Sequence, residues 1–180
     1  MHYFIRIKYT KGDAIVKSIV NLDSIKKKIN GSDLIEFEFV ELKPVPDGIK
    51  SDFLFSIISG LPIVSEKVKE LIESLNIGFQ FIKTTIPSYF LMNTMEPIKA
   101  FDWEQSIYER NPSFLPEVAD MPMEIEKLVF NESIIGIDIF RMYEEPISLF
   151  ISVKLKEVFE NGGVTGLEYI PISEYTYGIY

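Results

Sequence analysis

Close pairs of carboxylates such as Glu36/Glu38, Glu124/Glu126 and Glu144/Glu145 are what this 180-residue sequence offers to acid–base chemistry. Two carboxylates run glycoside hydrolysis when they face each other across about 5 to 9.5 Å. Spacing along the chain does not set that distance, and pairs on strand faces are usually solvated. A carboxylate-dependent hydrolase using Glu124, Glu126 or Glu144 is therefore a rival reading rather than the leading one. The only histidine, His2, lies beside the N-terminus, so a triad with a histidine base would have to use that one residue; the expectation is a mobile, inert side chain. There is no cysteine, which removes a thiolate nucleophile, a disulfide framework and a Cys/His metal cluster together. Ser24-Ile25-Lys26-Lys27 matches S-x-x-K, but S-D-N and K-T-G are missing and the lysines fit a solvated helix end. Gly162, Gly163 and Gly166 follow a helical pattern instead of preceding one, so they meet the carbonyl end of the helix dipole, which repels phosphate. No catalytic residue, cofactor or metal is expected.

Charge is more informative. The net charge is −9, which argues against nucleic acid as a ligand, because phosphate binding needs clustered Lys and Arg. Residues 1–50 hold 9 basic and 7 acidic groups, whereas residues 102–126 hold 7 acidic groups and only Arg110 on the basic side. A solvated loop accounts for such a stretch. The sharper expectation is a docking surface for a basic partner, with Trp103, the only tryptophan, as an aromatic anchor among Asp102, Glu104, Glu109, Glu117, Asp120, Glu124 and Glu126.

The elements that must position these residues follow from hydrophobic periodicity. With 47% hydrophobic residues, 14 Phe and 9 Tyr, the chain can build a sizeable core. Its longest apolar run, FLFSIISGLPIV, is 12 residues long and broken by Gly60 and Pro62, too short for a membrane span of roughly 20. The start carries Arg6, Lys8 and Lys11 where a signal peptide needs apolar residues, and the expectation is a soluble, cytoplasmic protein. Residues 3–9 and 14–20 alternate and predict a hairpin across Lys11-Gly12-Asp13; a short helix over 21–31 and a strand over 34–42 follow. KPVPDG, 43–48, predicts a loop. Strands are expected at 52–58, 79–86 and 89–93, a long excursion with one turn of helix over 101–125, and further strands at 126–133 and 135–142.

One pattern occurs twice. IVSEKVKELIESLNIGFQFI, 63–82, returns as ISVKLKEVFENGGVTGLEYI, 151–170. Ser65 and Ser152 are each placed to cap a helix, over 66–75 and 153–161. Val68, Leu71, Ile72 and Leu75 make one apolar stripe, and Leu155, Val158 and Phe159 the other. Lys67/Lys154, Lys69/Lys156, Glu70/Glu157 and Glu73/Glu160 also correspond. The prediction is a single domain over 1–180 of the α+β class: two related strand–helix–strand units, at 52–86 and 147–172, packed on mainly antiparallel sheet behind an N-terminal hairpin–helix–strand segment.

These segments stand in a fixed order: LPIVSEKVKELIESLNIGFQFI, YFLMNTMEPIKAFDWEQS, IDIFRM, then LFISVKLKEVFENGGVTGLEYIPI. The series, over about residues 52–172, resembles a bacterial family long described only as a domain of unknown function and grouped among the immunity proteins of polymorphic toxin systems. The resemblance rests on Val64-Ser65, Asn93, Asp102, Phe140-Arg141 and Gly163-Val164-Thr165-Gly166. These are structural signatures, and no functional residue is carried over from them. The resemblance implies a cytoplasmic antidote that binds and blocks a cognate toxin. A structural adaptor or self-associating protein is the alternative.

Overall fold

The computed structural model describes residues 1–9, 12, 15–19, 42–44, 48, 50–56, 62–75, 77–93, 97–110 and 121–175. The helix expected over 21–31, most of the strand over 34–42, and the acidic positions Glu117 and Asp120 lie outside the described residues. In chain order, β1 spans His2–Ile7, β2 Ile15–Ile19, β3 Leu42–Pro44, β4 Phe53–Ser56 and β5 Ile63–Ser65. Helix α1, Glu66–Ser74, follows directly, then β6 (Gln80–Lys83) and β7 (Tyr89–Asn93). Next come β8 (Ile107–Arg110), β9 (Pro122–Lys127), β10 (Ile139–Met142) and β11 (Glu145–Ser152). Helix α2, Val153–Asn161, leads to β12, Leu167–Pro171. The class is α+β with mainly antiparallel sheet. The chain divides into two compact units, one of Met1–Arg6, Pro97–Lys156 and Tyr169–Tyr180, the other of Ile7–Glu96 and Glu157–Glu168.

In the second unit a sheet of order β3-β2-β4-β5-β7-β6 carries α1. The helix starts where its sequence says it should: the Ser65 hydroxyl accepts from the Val68 amide, satisfying one of the orphan N–H groups of the first turn. Val68 and Ile72, one turn apart, are fully buried, while Leu71 is only half-buried. Ser65 is itself tied down. Its hydroxyl donates to Asp52 Oδ1 at 2.7 Å and its amide to Asp52 O at 2.8 Å. Lys67 Nζ closes the clasp at 2.8 Å from Asp52 Oδ2, which also accepts from the amide and the hydroxyl of Thr165, both at 2.9 Å.

In the first unit the sheet order is β10-β11-β1-β12, with β8 and β9 forming a separate two-stranded ribbon. Its core gathers Phe4, Phe101, Ile125, Phe140, Phe150 and Tyr175, with Phe4 edge-on to Tyr175 at 5.4 Å. Here Ser152 caps α2 through the Leu155 amide at 3.1 Å, and its hydroxyl donates to Asp138 Oδ1 at 2.6 Å. Lys154 Nζ lies 2.7 Å from Asp138 Oδ2.

Burial pushes both aspartates up, but the hydrogen bonds outweigh it: from Lys67, Ser65 and Thr165 at Asp52, and from Lys154 and Ser152 at Asp138. Both carboxyls are thus held below their ordinary value in the folded state. Their stabilisation is complete above the unfolded value of about 3.9 and is lost as the pH falls through the lower folded values. A double D52N/D138N variant should therefore be less stable than wild type at pH 7, with the gap narrowing below about pH 4; urea midpoints across that range check it, and a pH-independent gap would mean the charges contribute nothing.

Several expectations need correction. Strands β1 and β2 do not form a hairpin, because both edges of β1 are already taken by β11 and β12, while β2 pairs with β3 and β4. Lys43 and Pro44, expected in a loop, end β3, where proline is tolerated at a sheet edge. Residues 126–133 hold the end of β9, an isolated bridge at Phe130 and a short 3-10 turn over Glu132–Ile134 instead of one strand. His2 is not mobile: it sits in β1 with its ring edge-on to Phe130 and Phe140, and its Nε2 lies 3.2 Å from Ile137 O. Burial, foremost, lowers its pKa.

Candidate functional site

The acidic stretch is the feature that composition singles out, and the structure gives part of it a shape. The expected excursion contains β8 and β9, paired antiparallel with register shifts at Ile107/Tyr108 and Glu109/Arg110. Two shifts in so short a ribbon increase its twist and make it a poor template for unwanted strand addition. Three prolines and an irregular hydrophobic pattern hide these strands from a periodicity reading. In β9, Pro122 and Ile125 are buried and the pairs between and after them are exposed, a spacing of three forced by the register shifts.

Trp103 sits on the turn that precedes the ribbon. It packs edge-on against Phe101 at 4.6 Å and Tyr108 at 5.0 Å, yet remains 39% exposed. Ile107 and Met123 are exposed by 51% and 47%. They belong to no motif and become visible only through their exposure. The core thus holds the back of this aromatic group while its front is left to solvent.

The carboxylates divide by role. Asp102 is occupied locally: its Oδ1 accepts from the amides of Glu104 and Gln105, both at 3.0 Å, and its Oδ2 from the Gln105 side chain at 2.8 Å. That is a turn-fixing residue, which sets the position of Trp103. Glu104, Glu109, Glu124 and Glu126 are exposed. Glu109 and Glu124 are direct register partners. Like charges placed opposite each other across an antiparallel pair destabilise it, so the ribbon carries this pair at a cost to its own pairing.

The hydrolase candidates differ in their surroundings. Glu124 and Glu126 lie on the exposed ribbon, whereas Glu144 is buried. Burial pushes Glu144 up, against backbone hydrogen bonds from its own amide, Ala100 and Phe101 and against nearby Lys99. Its neighbour Glu145 is buried too, taking the Tyr175 hydroxyl at 2.5 Å and the Ser148 hydroxyl at 2.8 Å. Ser24, Lys27, Glu36 and Glu38 lie outside the described residues. Among the described residues no three His, Asp or Glu gather as metal ligands, and no helix is long and apolar enough to cross a membrane.

The signature residues hold structure. Asn93 donates to Gln80 Oε1 at 3.1 Å between paired strands, and Thr165 joins the Asp52 clasp. Arg141 donates to Pro146 O at 3.1 Å, and burial pulls its guanidinium down to about 10. No curated protein matches the chain. A family model described as Immunity protein family (Imm11) matches residues 48–174. That match takes in α1, α2, every strand from β4 to β12 and the turn that carries Trp103, and on it the chain belongs to the Imm11 family of immunity proteins.

Proposed function

We propose that the protein is a non-enzymatic antidote that works in the bacterial cytoplasm by binding a cognate toxin domain and blocking it. The family match over residues 48–174 carries this reading. The docking face is the ribbon and the turn before it: Trp103 as anchor, with Asp102 holding its turn, and Glu104, Glu109, Glu124 and Glu126 around it. Glu117 and Asp120 join by sequence position alone. The occupant is a basic surface of the toxin, because the exposed acid repels nucleic acid and anionic lipid but steers a cationic partner and speeds its association. The like-charged Glu109–Glu124 pair supports this reading, since a cation from the partner would satisfy it.

Glu109→Lys separates docking from folding. It turns a like-charge pair into an attractive one and should leave stability unchanged or raise it by up to about 1 kcal/mol. In the same variant, association with the cognate toxin, sought first as the product of the adjacent upstream gene, should slow by about 10-fold at low salt. Co-purification, stopped-flow association and rescue of growth read the two effects. Wild-type protein that forms no complex and gives no rescue would sink the antidote reading. Binding by Glu109→Lys and Trp103→Ala at the wild-type rate would instead move the docking face elsewhere.

A further inference from the structure

Residues 53–93, in the second unit, and residues 139–171 with β1, which lie mainly in the first, share more than a helix cap. In each, a hairpin (β4-β5 or β10-β11) leads straight into a helix, and the helix into a last strand (β6 or β12). In each, one strand fills the place between the hairpin and that last strand: β7 in the order β4-β5-β7-β6, and β1 in the order β10-β11-β1-β12. The registers agree residue by residue. Ser65 faces Tyr89 and Ile63 faces Leu91; Ser152 faces His2 and Phe150 faces Phe4. The amide of the first helical residue donates to Ser88 O in one unit and to Met1 O in the other. Lys69 Nζ lies 5.0 Å over the Phe90 ring, and Lys156 Nζ lies 5.2 Å over the Tyr3 ring. The aspartate–serine–lysine clasps match as well.

We infer that both are built from one module, and that in the first unit the central strand is supplied from much earlier in the chain, by His2–Ile7. The position of Tyr89–Asn93, which follows β6 in sequence, is taken there by residues from the far end of the chain. Strand β1 is thus a donor strand seated in a peptide-binding slot between β11 and β12. The slot takes an extended segment with an aromatic residue under the helix lysine, followed by two buried apolar residues: Tyr3, Phe4 and Ile5 from β1, matched by Phe90, Leu91 and Met92 in β7. Main-chain pairing on both sides gives such a segment its affinity, and the alternate side chains give it register.

A cut made in the folded, full-length protein tests this. With a protease site inserted after Lys11, the cleaved N-terminal peptide should co-elute with the remainder on gel filtration. The thermal midpoint should then rise with protein concentration, as it does for any ligand that binds only the folded state. Elution of the peptide apart from the remainder overturns the donor-strand inference, whatever the remainder does. Labelled peptide of residues 1–9 in excess should exchange into the cut protein, and so should peptide of residues 87–93. A version of the latter with Phe90, Leu91 and Met92 changed to Ser should not. Exchange of neither native peptide overturns the separable slot. Exchange of the first without the second, or of the serine version as readily as its parent, overturns the equivalence of the two modules.

Discussion

Gly166→Ala should destabilise the protein by about 2–5 kcal/mol, the sum of a left-handed backbone penalty and an overpacking cost. Gly166 has φ +86°, and a Cβ there would lie 2.4 Å from the Phe53 carbonyl oxygen and 2.8 Å from Ser51 Cβ. The nearest atom belongs to the backbone, so no side chain can swing aside. The segment is also pinned: Lys8 N donates to Gly166 O at 2.9 Å, Phe53 N to Thr165 O at 3.1 Å, and Thr165 to the Asp52 clasp. Gly163 is the internal control. Its φ is +60° but nothing lies within 4 Å of an added Cβ, so alanine there should cost only about 1–2 kcal/mol. Denaturant midpoints for the two variants decide it; equal losses would show that the close approach to Phe53 is relieved at no cost.

Phe159→Ala should cost about 3–5 kcal/mol. Its ring is fully buried and meets the equally buried Phe53 ring at 5.9 Å. The neighbouring Val158 is only half-buried, and its truncation should fall well below that loss. Leu71 and Ile72 in α1 should show the same order, because Ile72 is buried and Leu71 half-buried. Chemical denaturation of Phe159→Ala and Val158→Ala gives the comparison directly. A larger loss for Val158→Ala would mean that the buried face of α2 is rotated by one residue.

The two helices and most strand positions were legible in the sequence; which strands pair was not. A serine cap, an apolar stripe and a stopping glycine act within one or two turns, so α1 and α2 fall within a residue of their predicted ends. Strand pairing is decided by partners far away. Nothing in residues 3–20 shows that β1 pairs with β11, some 145 positions on, and the turn residues between β1 and β2 suggest the wrong partner. The two capping serines, Ser65 and Ser152, were visible in the sequence, but their aspartates were not. Asp52 lies 13 residues before its serine and Asp138 lies 14 before its own, so a fixed offset passes over the match. The docking proposal has the same character. Composition marks the acid and the single tryptophan, while the opposition of Glu109 and Glu124 exists only once register is set.

The place of β1 in its sheet has a consequence for synthesis. Strand β1 is made long before the strands it needs: it can close its sheet only after β11 and β12 have been made. Strands β4, β5, β7 and β6 face no such wait, since all lie between Phe53 and Asn93 and can pair as soon as Asn93 emerges. Pairing across so long a stretch of chain carries the larger loop-closure entropy and is the slower step. During translation the strands between Phe53 and Asn93 can be paired while β1 still waits, an unpaired apolar strand, for β11 and β12.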